Sequence, residues 1–268
     1  MKPSIALVIN TYQQPEYLAR VLRAVSAQED APEEVLIAED DTDDATANVF
    51  NWWSKQTKRS HCFHVNQIHS GFRRSSILNE AISRAQSDYI VFLDGDTIPH
   101  PQFIADHRSL AQVGTFVQGH RALIEKKAAI GFGLQNFSSD RTKALFTFQL
   151  RGLKHAFRWP APLKRFRSDL HGIRGCNLGI WRCDLICVNG YNEAFVGWGR
   201  EDSELAVRLM NSGVKRLDVR GRAMCYHLWH PSASRAGLAT NDDLLQKAIA
   251  NNSKRCDVGL DRHKPQPA

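Results

Sequence analysis

The sequence contains no apolar stretch approaching the roughly 18 residues of a membrane-spanning helix. The residues after Met1 lead into a short apolar run that lacks the length and cleavage site of a signal peptide. Six cysteines in 268 residues are too few for a disulfide scaffold, so we expect reduced thiols. These absences predict a cytoplasmic protein, either free or peripheral on the cytoplasmic face of the membrane.

Two glycine-rich phosphate motifs are also missing. No Gly-x-Gly-x-x-Gly follows the first apolar run, and no P-loop occurs anywhere in the chain. A dinucleotide cofactor held by backbone amides is therefore not expected. A bound diphosphate would instead need a metal ion or arginine side chains to balance its charge.

The composition fits one globular domain with or without an appended lobe, since 43% of the residues are hydrophobic and 24% are charged. Lysine and arginine outnumber aspartate and glutamate by 35 to 28, a net charge of +7. This excess favours anionic partners: phosphates, acidic glycans, an anionic membrane surface or nucleic acid.

Short apolar runs alternate with amphipathic segments in the first hundred residues. Runs at 5–9, 35–38 and 89–93 predict buried strands, and 62–65 predicts a weaker one. The segments between them carry apolar residues at helical spacing, from Leu18 to Val25 and from Leu78 to Ala85. This alternation predicts an α/β fold with a Rossmann-like, mostly parallel central sheet flanked by helices.

Polar side chains follow three of these strands. Thr11 and Asp40 come after the first two, and the strand at 89–93 ends in Asp94, Gly95 and Asp96. Because ligands bind at the carboxyl ends of parallel strands, we expect these residues to lie at one edge of the sheet. Two neighbouring carboxylates attract a divalent metal, although Asp-Gly-Asp is also ordinary turn chemistry. Gly95 leaves the backbone open to a bulky ligand.

The segment 141–167 is basic and aromatic, with eight lysine or arginine residues and no acid. It could contact an anionic membrane or an acidic acceptor. The alternative is a surface helix and loop with some aromatic side chains docked in the core.

Further candidates lie near the C-terminal end of the chain. Trp198 offers a flat surface for stacking on a sugar ring, in a glycine-rich loop. Glu201 and Asp202 begin a predicted helix ending near Gly213, either as a general base or as helix-capping acids. His227 and His230 either complete a metal site begun by Asp96 or are structural. A zinc site from three cysteines and a histidine is conceivable, but its spacing fits no standard pattern; its members are Cys183, Cys187, Cys225 and His227. The last segment predicts a helix at 241–250 and a loose tail at 263–268.

Three motifs together resemble glycosyltransferase family 2 on the GT-A fold, with a galactosyltransferase-type C-terminal module. Residues 72–79 are similar to the donor-site helix start of β-1,4-galactosyltransferases. Residues 94–99 resemble their Asp-x-Asp metal motif with its trailing proline, and residues 197–202 resemble their Gly-Trp-Gly-x-Glu-Asp motif. The resemblance spans about residues 4–232.

The resemblance implies a role for each matching residue. Thr11 and Asp40 would contact uridine, Arg74 the donor diphosphate, and Asp94 with Gly95 the ribose or metal. Trp198 and Glu201 would hold the acceptor, and Asp202 would be the base. Asp96, together with His230 or His227, would bind Mn²⁺ or Mg²⁺. Residues 39–42 read Glu-Asp-Asp-Thr where the family has Asp-Asp-Gly-Ser, so the uridine contact could shift by one residue.

The resemblance further implies a donor-binding part at 1–125 and an acceptor part at 126–232 of the same domain, followed by a C-terminal helix and tail at 233–268. The expected function is inverting, metal-dependent transfer from a UDP-sugar to a glycan or glycolipid in polysaccharide or lipopolysaccharide synthesis, without a nucleic-acid partner. Two alternatives stay open: a metal-dependent nucleotidyltransferase, and a non-enzymatic protein that binds nucleic acid or membrane through its basic segment.

Overall fold

The computed structural model describes residues 2–57, 61–134, 137–231 and 234–263. Within these ranges the strands are β1 (Ile5–Thr11), β2 (Glu34–Glu39), β3 (Cys62–Asn66), β4 (Tyr89–Asp94), β5 (Thr97–Pro99), β6 (Thr115–Gln118), β7 (Arg121–Ile124), β8 (Leu150–Arg151), β9 (Leu163–Arg167), β10 (Asn177–Trp181), β11 (Lys215–Arg220) and β12 (Cys225–His227). The α-helices are α1 (Pro15–Ser26), α2 (Asp44–Thr57), α3 (Arg74–Arg84), α4 (Phe103–Leu110), α5 (Lys126–Ala129), α6 (Phe137–Phe146), α7 (Arg182–Cys187), α8 (Glu201–Asn211) and α9 (Leu238–Ala250).

The main sheet has eight strands in the order β3-β2-β1-β4-β10-β6-β11-β9. Strands β3, β2, β1 and β4 run parallel, as the alternating pattern predicts. Strand β10 runs antiparallel to both β4 and β6, and β9 is antiparallel to β11 at the far edge. The predicted α/β fold is confirmed. The parallel half of the sheet contains β1, β2 and β4, the three strands that are followed by the predicted polar residues.

Helices cover both faces of this sheet, which explains the continuous apolar runs. On β1, Ile5, Leu7 and Ile9 pack with the apolar face of α1. The alternate residues, Ala6 and Val8, pack with α3 and α8 on the other face. Because every second side chain of a strand points to the opposite face, a strand covered on both sides is apolar at every position.

A second sheet of four strands, in the order β5-β12-β7-β8, is not predicted by the sequence pattern. Strand β12 pairs with β5 so that His227 lies opposite Thr97, directly after Asp96. The backbone N–H of Leu228 donates to the carbonyl of Asp96 at 2.9 Å. This sheet therefore brings residues from distant parts of the chain to the carboxyl end of β4.

The segment 141–167 folds into the end of α6, β8, a short 3₁₀ turn and β9. Three of its aromatic side chains are strongly exposed: Phe148 at 91%, Phe146 at 76% and Phe166 at 61%. These three side chains therefore do not dock in the core. In the described ranges, no helix is both long and apolar enough to span a bilayer.

The C-terminal segment differs from the prediction in two ways. Helix α9 begins at Leu238, three residues before the predicted start at 241. His263, predicted to begin a loose tail, bonds to Glu193 at 2.6 Å and to Glu80 at 3.0 Å. The spacing of residues in the sequence does not predict these two ion pairs. Residues 264–268 lie outside the described part of the structure.

Candidate active site

A cavity of about 1310 Å³ opens at the carboxyl ends of β1, β2 and β4. The second sheet forms one wall, and the loop that leads into α8 forms another. All of the site residues predicted from the sequence line it: Thr11, Asp40, Arg74, Asp94, Gly95, Asp96, Trp198, Glu201, Asp202, His227 and His230. Residues separated by more than 200 positions thus meet in one cleft.

Asp96, His227 and His230 form a cluster whose ligand atoms all lie within 4.8 Å of one another. The Asp96 carboxylate is 3.1 Å from His230 Nε2 and 3.5 Å from His227 Nε2. The two imidazole Nε2 atoms are 3.3 Å apart. One carboxylate and two imidazoles facing a common point are a donor set that fits a divalent cation.

Both histidines belong to this cluster, and both therefore stay candidate metal ligands. The zinc alternative fails, because Cys183 and Cys187 are exposed on α7 while Cys225 is buried. Among the described residues, Asp96, His227 and His230 are the one group with metal-ligand geometry.

The protonation states of the cluster suit a metal. Burial, more than any neighbouring charge, lowers the pKa of His227 to about 4, so this imidazole is neutral at pH 7. Burial alone would raise the pKa of Asp96, but the hydrogen bond from His230 and the proximity of both imidazoles lower it overall. The hydrogen bond to Asp96 raises the pKa of His230. A metal ion would take the place of the proton on His230.

A second cluster surrounds the buried guanidinium of Arg74. Its Nη1 lies 2.9 Å from Asp202 Oδ1 and 3.4 Å from Glu201 Oε1, and its Nη2 lies 3.5 Å from Asp94 Oδ1. Arg74 begins α3, and Glu201 and Asp202 begin α8, so two rigid helix ends set this geometry.

Three carboxylates around one guanidinium leave an excess of negative charge. Burial would lower the pKa of Arg74, but the carboxylates, Asp202 first, raise it well above its usual value. Burial and the neighbouring Asp202 raise the pKa of Glu201 to about 7. Burial raises the pKa of Asp94 to about 6, with Arg74 opposing and Asp96 adding to the shift. Burial and the crowding of these carboxylates thus favour the protonated forms of Glu201 and Asp94.

Asp202 is held by groups that sequence reasoning missed. The backbone N–H of Gly175 donates to Asp202 Oδ2 at 2.7 Å, and the hydroxyl of Tyr191 donates to Oδ1 at 3.4 Å. A Cβ at position 175 would lie 2.3 Å from Arg74 Nη2 and 2.4 Å from Asp202 Oδ1. Only a glycine allows this close approach, and the glycine-rich stretch before β10 was the available signal.

Asp40 lies at the other end of the cavity, beyond the end of β2. Its Oδ1 accepts from Gln67 Nε2 at 2.6 Å, and its Oδ2 accepts from the backbone N–H of Arg73 at 2.7 Å. Asp40 lines the cavity, whereas Asp41 does not. Of the two positions that the motif allows, Asp40 is therefore the one that faces the cavity.

Tyr12 and His69 also line this end and stack with ring centroids 4.9 Å apart. The hydroxyl Oγ1 of Thr11 is buried without a partner. A Cβ at Gly95 would lie 2.9 Å from Thr11, so the backbone of the Asp-Gly-Asp turn packs directly on the end of β1.

Trp198 stands at the mouth of the cavity and is 41% exposed. Positive φ angles at Gly197 and Gly199, on either side, turn the backbone so that the indole ring projects. The guanidinium of Arg235 lies 5.4 Å from the ring centroid.

Two family models match the chain. The model described as glycosyl transferase family 2 matches residues 6–167, more than half of the chain. The model described as the N-terminal domain of galactosyltransferase matches residues 157–231. The first covers the parallel half of the main sheet, and the second covers β10, β11 and β12.

Curated relatives carry transferase and synthase names. The chain is 26% identical over 233 residues to validoxylamine A glucosyltransferase of Streptomyces hygroscopicus subsp. limoneus, covering 79% of this chain and 49% of that protein. It is 24% identical over 267 residues to chondroitin synthase of Escherichia coli, covering 91% of this chain and 38% of that protein. The chain thus spans about half, or less, of the length of these relatives.

The fold resembles that of the mannosyltransferase PcManGT from Pyrobaculum calidifontis, solved in complex with GDP-Man and Mn²⁺. The TM-score is 0.58 at 16% identity, covering 85% of this chain and 57% of the solved one. This likeness supports the predicted GT-A fold. Together with the family match over most of the sheet, it leads to one conclusion: the chain belongs to glycosyl transferase family 2.

Proposed function

We propose that this chain is an inverting, metal-dependent hexosyltransferase that uses a UDP-sugar of galactose, glucose or N-acetylhexosamine type. The acceptor would be a glycan or a lipid-linked glycan. The observation that carries the proposal is the meeting of two clusters in one cavity: a metal-ligand set at Asp96 and a carboxylate group around Arg74. Such a pair supplies what nucleotide-sugar transfer needs, a site for the leaving diphosphate and a base for the acceptor hydroxyl.

The donor would lie along the strand ends. Thr11 and Asp40 would contact the uridine, since the unpartnered Oγ1 of Thr11 and the carboxylate of Asp40 both face that end of the cavity. Arg74 would contact the diphosphate of the donor. Asp94 and the backbone at Gly95 would face the ribose or the metal. Arg74 is paired with carboxylates, so an anionic donor would compete for its guanidinium.

A divalent cation held by Asp96, His227 and His230 would supply Lewis-acid stabilisation of the departing diphosphate. The donor set favours Mn²⁺ over Mg²⁺, because Mg²⁺ prefers oxygen ligands whereas two of the three protein ligands here are imidazoles. The mannosyltransferase of similar fold from Pyrobaculum calidifontis was solved with Mn²⁺ bound, which supports this choice.

Asp202 would take the proton of the acceptor hydroxyl as that hydroxyl attacks the anomeric carbon. Its carboxylate is oriented by Arg74 and by the N–H of Gly175, and it begins a rigid helix. Glu201 and Trp198 would hold the acceptor on the same side. One base opposite the leaving group predicts inversion, and so a β-linked product from an α-linked donor.

The remaining expectations extend the same proposal. Residues 1–125 would form the donor part and 126–232 the acceptor part of one domain, followed by a C-terminal helix and tail at 233–268. We propose a role in cell-surface polysaccharide or lipopolysaccharide synthesis at the cytoplasmic face of the membrane, which the chondroitin synthase relative supports. The exposed aromatic and basic side chains of 141–167 would contact the anionic membrane surface.

Thermal unfolding with UDP tests the donor site. We expect UDP at about 100 times its dissociation constant to stabilise the protein by roughly 2.7 kcal/mol, and only with Mn²⁺ present. Asp96→Ala should abolish this stabilisation because it removes the carboxylate of the metal cluster. The matched control is Asp257→Ala, which removes an exposed carboxylate outside the cavity and should behave as wild type.

If UDP, GDP and dTDP all leave the unfolding temperature unchanged with and without metal, the proposed donor site is wrong. Once a donor is found, product analysis separates the open alternatives. Sugar transfer releases UDP, whereas nucleotidyl transfer would release pyrophosphate.

A further inference from the structure

Six arginines line the cavity, and two of them differ from the rest. The other four have partners within the chain: Arg74 with three carboxylates, Arg151 with Glu125, Arg200 with Asp242, and Arg235 over the ring of Trp198. In the described part of the chain, Arg121 and Arg174 make no ion pair with any carboxylate.

Arg121 is half-buried on β7, and no described carboxylate lies within ion-pair distance of its guanidinium. Burial opposes its charge, but the nearby Cys176 and Asp94 raise the pKa of Arg121 overall. Its Nη1 donates to Cys176 Sγ at 3.4 Å, and its Nε is buried without a hydrogen-bond partner. A thiol is a weak acceptor, and a buried guanidinium without an anion is costly. An anionic ligand would supply both a close counter-charge for the guanidinium and an acceptor for its Nε.

Arg174 is exposed in the loop before β10 and precedes Gly175, whose N–H holds Asp202. Arg121 on β7 pairs in register with Cys225 on β12, two residues before His227, and its Nη1 contacts Cys176, the residue after Gly175. Both arginines line the cavity. The two arginines therefore flank the region between the metal cluster and the proposed base, where the acceptor hydroxyl would meet the donor.

We propose that Arg121 and Arg174 bind an oxyanion carried by the acceptor, so that the acceptor is an acidic or phosphate-bearing glycan rather than a neutral one. This inference rests on the proposed function. A guanidinium fork matches a carboxylate and a phosphate equally well, so the shared chemistry is that of an oxyanion.

The acceptor, rather than the donor, is the expected source of this anion. The donor diphosphate already has its positive partners in the metal cluster and Arg74. Arg174 is joined through Gly175 to Asp202, which must contact the acceptor hydroxyl, and Arg174 is exposed where an acceptor would enter. Arg151 continues the basic wall outward on β8, opposite Leu123.

The test titrates three probes into protein saturated with UDP and Mn²⁺: glucuronate, glucose 6-phosphate and glucose. The readout is the unfolding temperature of wild type, Arg121→Gln, Arg174→Gln and Arg200→Gln. Arg200→Gln is the matched control, since it removes the same charge from an arginine of the same cavity that already has a carboxylate partner.

We expect both anionic probes, and not glucose, to stabilise wild type and Arg200→Gln. Arg121→Gln and Arg174→Gln should each weaken the apparent affinity for the anionic probes about tenfold or more, as loss of a charge-assisted hydrogen bond does. Equal stabilisation by glucose and glucuronate, or unaltered affinity in both variants, would overturn the proposal. If Arg121→Gln does not fold, Arg174→Gln still tests the proposal, because Arg174 is exposed and its substitution should leave folding intact.

A UDP titration on the same variants separates the two sources of anion. We expect unchanged UDP affinity. A tenfold loss of UDP affinity in Arg121→Gln, without any effect on glucuronate, would assign the site to the donor and overturn the acceptor assignment. The three probes are also titrated without nucleotide. An absence of UDP binding would count against the proposed function, and the affinity for the anionic probes could still be measured.

Discussion

Asp202 receives hydrogen bonds from three distant parts of the chain: Arg74 on α3, Gly175 before β10 and Tyr191 after α7. These contacts fix the direction in which the carboxylate points. A residue held in this way acts through its position, and small displacements should reduce turnover strongly.

The first prediction concerns Asp202 itself. Asp202→Asn should lower turnover by about 10²–10⁴-fold, the range expected on removing a general base. The amide keeps the shape of the side chain, so UDP affinity with Mn²⁺ should stay within a factor of about two of wild type. Steady-state turnover and UDP titration measure the two quantities. Undiminished turnover in this variant would exclude Asp202 as the base.

The second prediction concerns Gly175. Its φ is not in the left-handed region, so alanine is allowed by the backbone, but the added Cβ would lie 2.3 Å from Arg74 Nη2. We expect Gly175→Ala to separate Arg74 from Asp202 and to lower turnover by about 10²-fold, as a displacement near 1 Å can. Gly131→Ala is the control, because no atom lies within 4 Å of a Cβ there. Equal turnover in both variants would contradict the prediction.

The sequence predicts the charged residues of the site better than the residues that position them. Asp96, Asp202 and His230 stand in motifs with a chemical signature. Gly175 contributes a backbone N–H and the absence of a side chain; the glycine-rich stretch around it signals a turn but does not show that its N–H contacts Asp202. Arg121 looks like any other arginine until the fold leaves it beside Cys176 without a carboxylate.

Among the elements, the turn Leu260–His263 connects the C-terminal segment to the body of the domain. His263 donates to Glu80 on α3 and to Glu193 in the loop before α8. Both helices also begin at site residues, Arg74 and Glu201. The contact thus joins the C-terminal turn to the middle of α3 and to the loop that leads toward α8.

The third prediction is a pH dependence of stability. The hydrogen bond to Glu193, followed by that to Glu80, raises the pKa of His263 above its usual value. Above about pH 6.5, the usual pKa of histidine, the folded state therefore keeps a proton that the unfolded state has lost. The free energy of unfolding should then fall as pH rises through the folded-state pKa. Urea unfolding across about pH 6–9 measures this fall.

His263→Gln should remove that pH dependence and lower the free energy of unfolding near pH 6 by about 1–2 kcal/mol, the scale of a charged hydrogen bond. His171→Gln is the control, since this histidine is exposed and its side chain makes no ion pair with any described residue. A pH profile in His263→Gln that parallels wild type would mean that other groups cause the fall.

The elements most visible in the sequence are those with long apolar runs or clear helical spacing. Strands β1, β2 and β4 and helices α1, α3 and α8 belong to this group. Helix α2 is hidden because it buries only a few side chains, among them Phe50 and Trp53. The second sheet is hidden because its strands have two to four residues, too few to show a period.

At the scale of the whole molecule, the two parts of the chain share one sheet. Strand β10, at 177–181, fills the space between β4 and β6, and β11 at 215–220 pairs with β6. The proposed donor and acceptor parts are therefore functional regions whose cores are continuous. Neither part has a complete sheet without the other.

The fourth prediction follows from this shared sheet. Residues 1–125 expressed alone should fail to unfold cooperatively, because the apolar β4 would be left as an open edge. Circular dichroism during thermal unfolding, together with gel filtration, measures cooperativity and aggregation. Residues 1–263 serve as the control and should give one sharp transition. A sharp transition in the short fragment would show that the donor part is an independent domain.

The pairing of β12 with β5 also sets an order of events during biosynthesis. Asp96 is translated more than a hundred residues before His227 and His230, and only the closed second sheet brings the three together. Contacts so distant along the chain are among the last to form. A nascent chain would thus hold the first carboxylate long before the proposed metal site is complete, and under the proposed function metal capture would mark the moment when a newly made molecule becomes active.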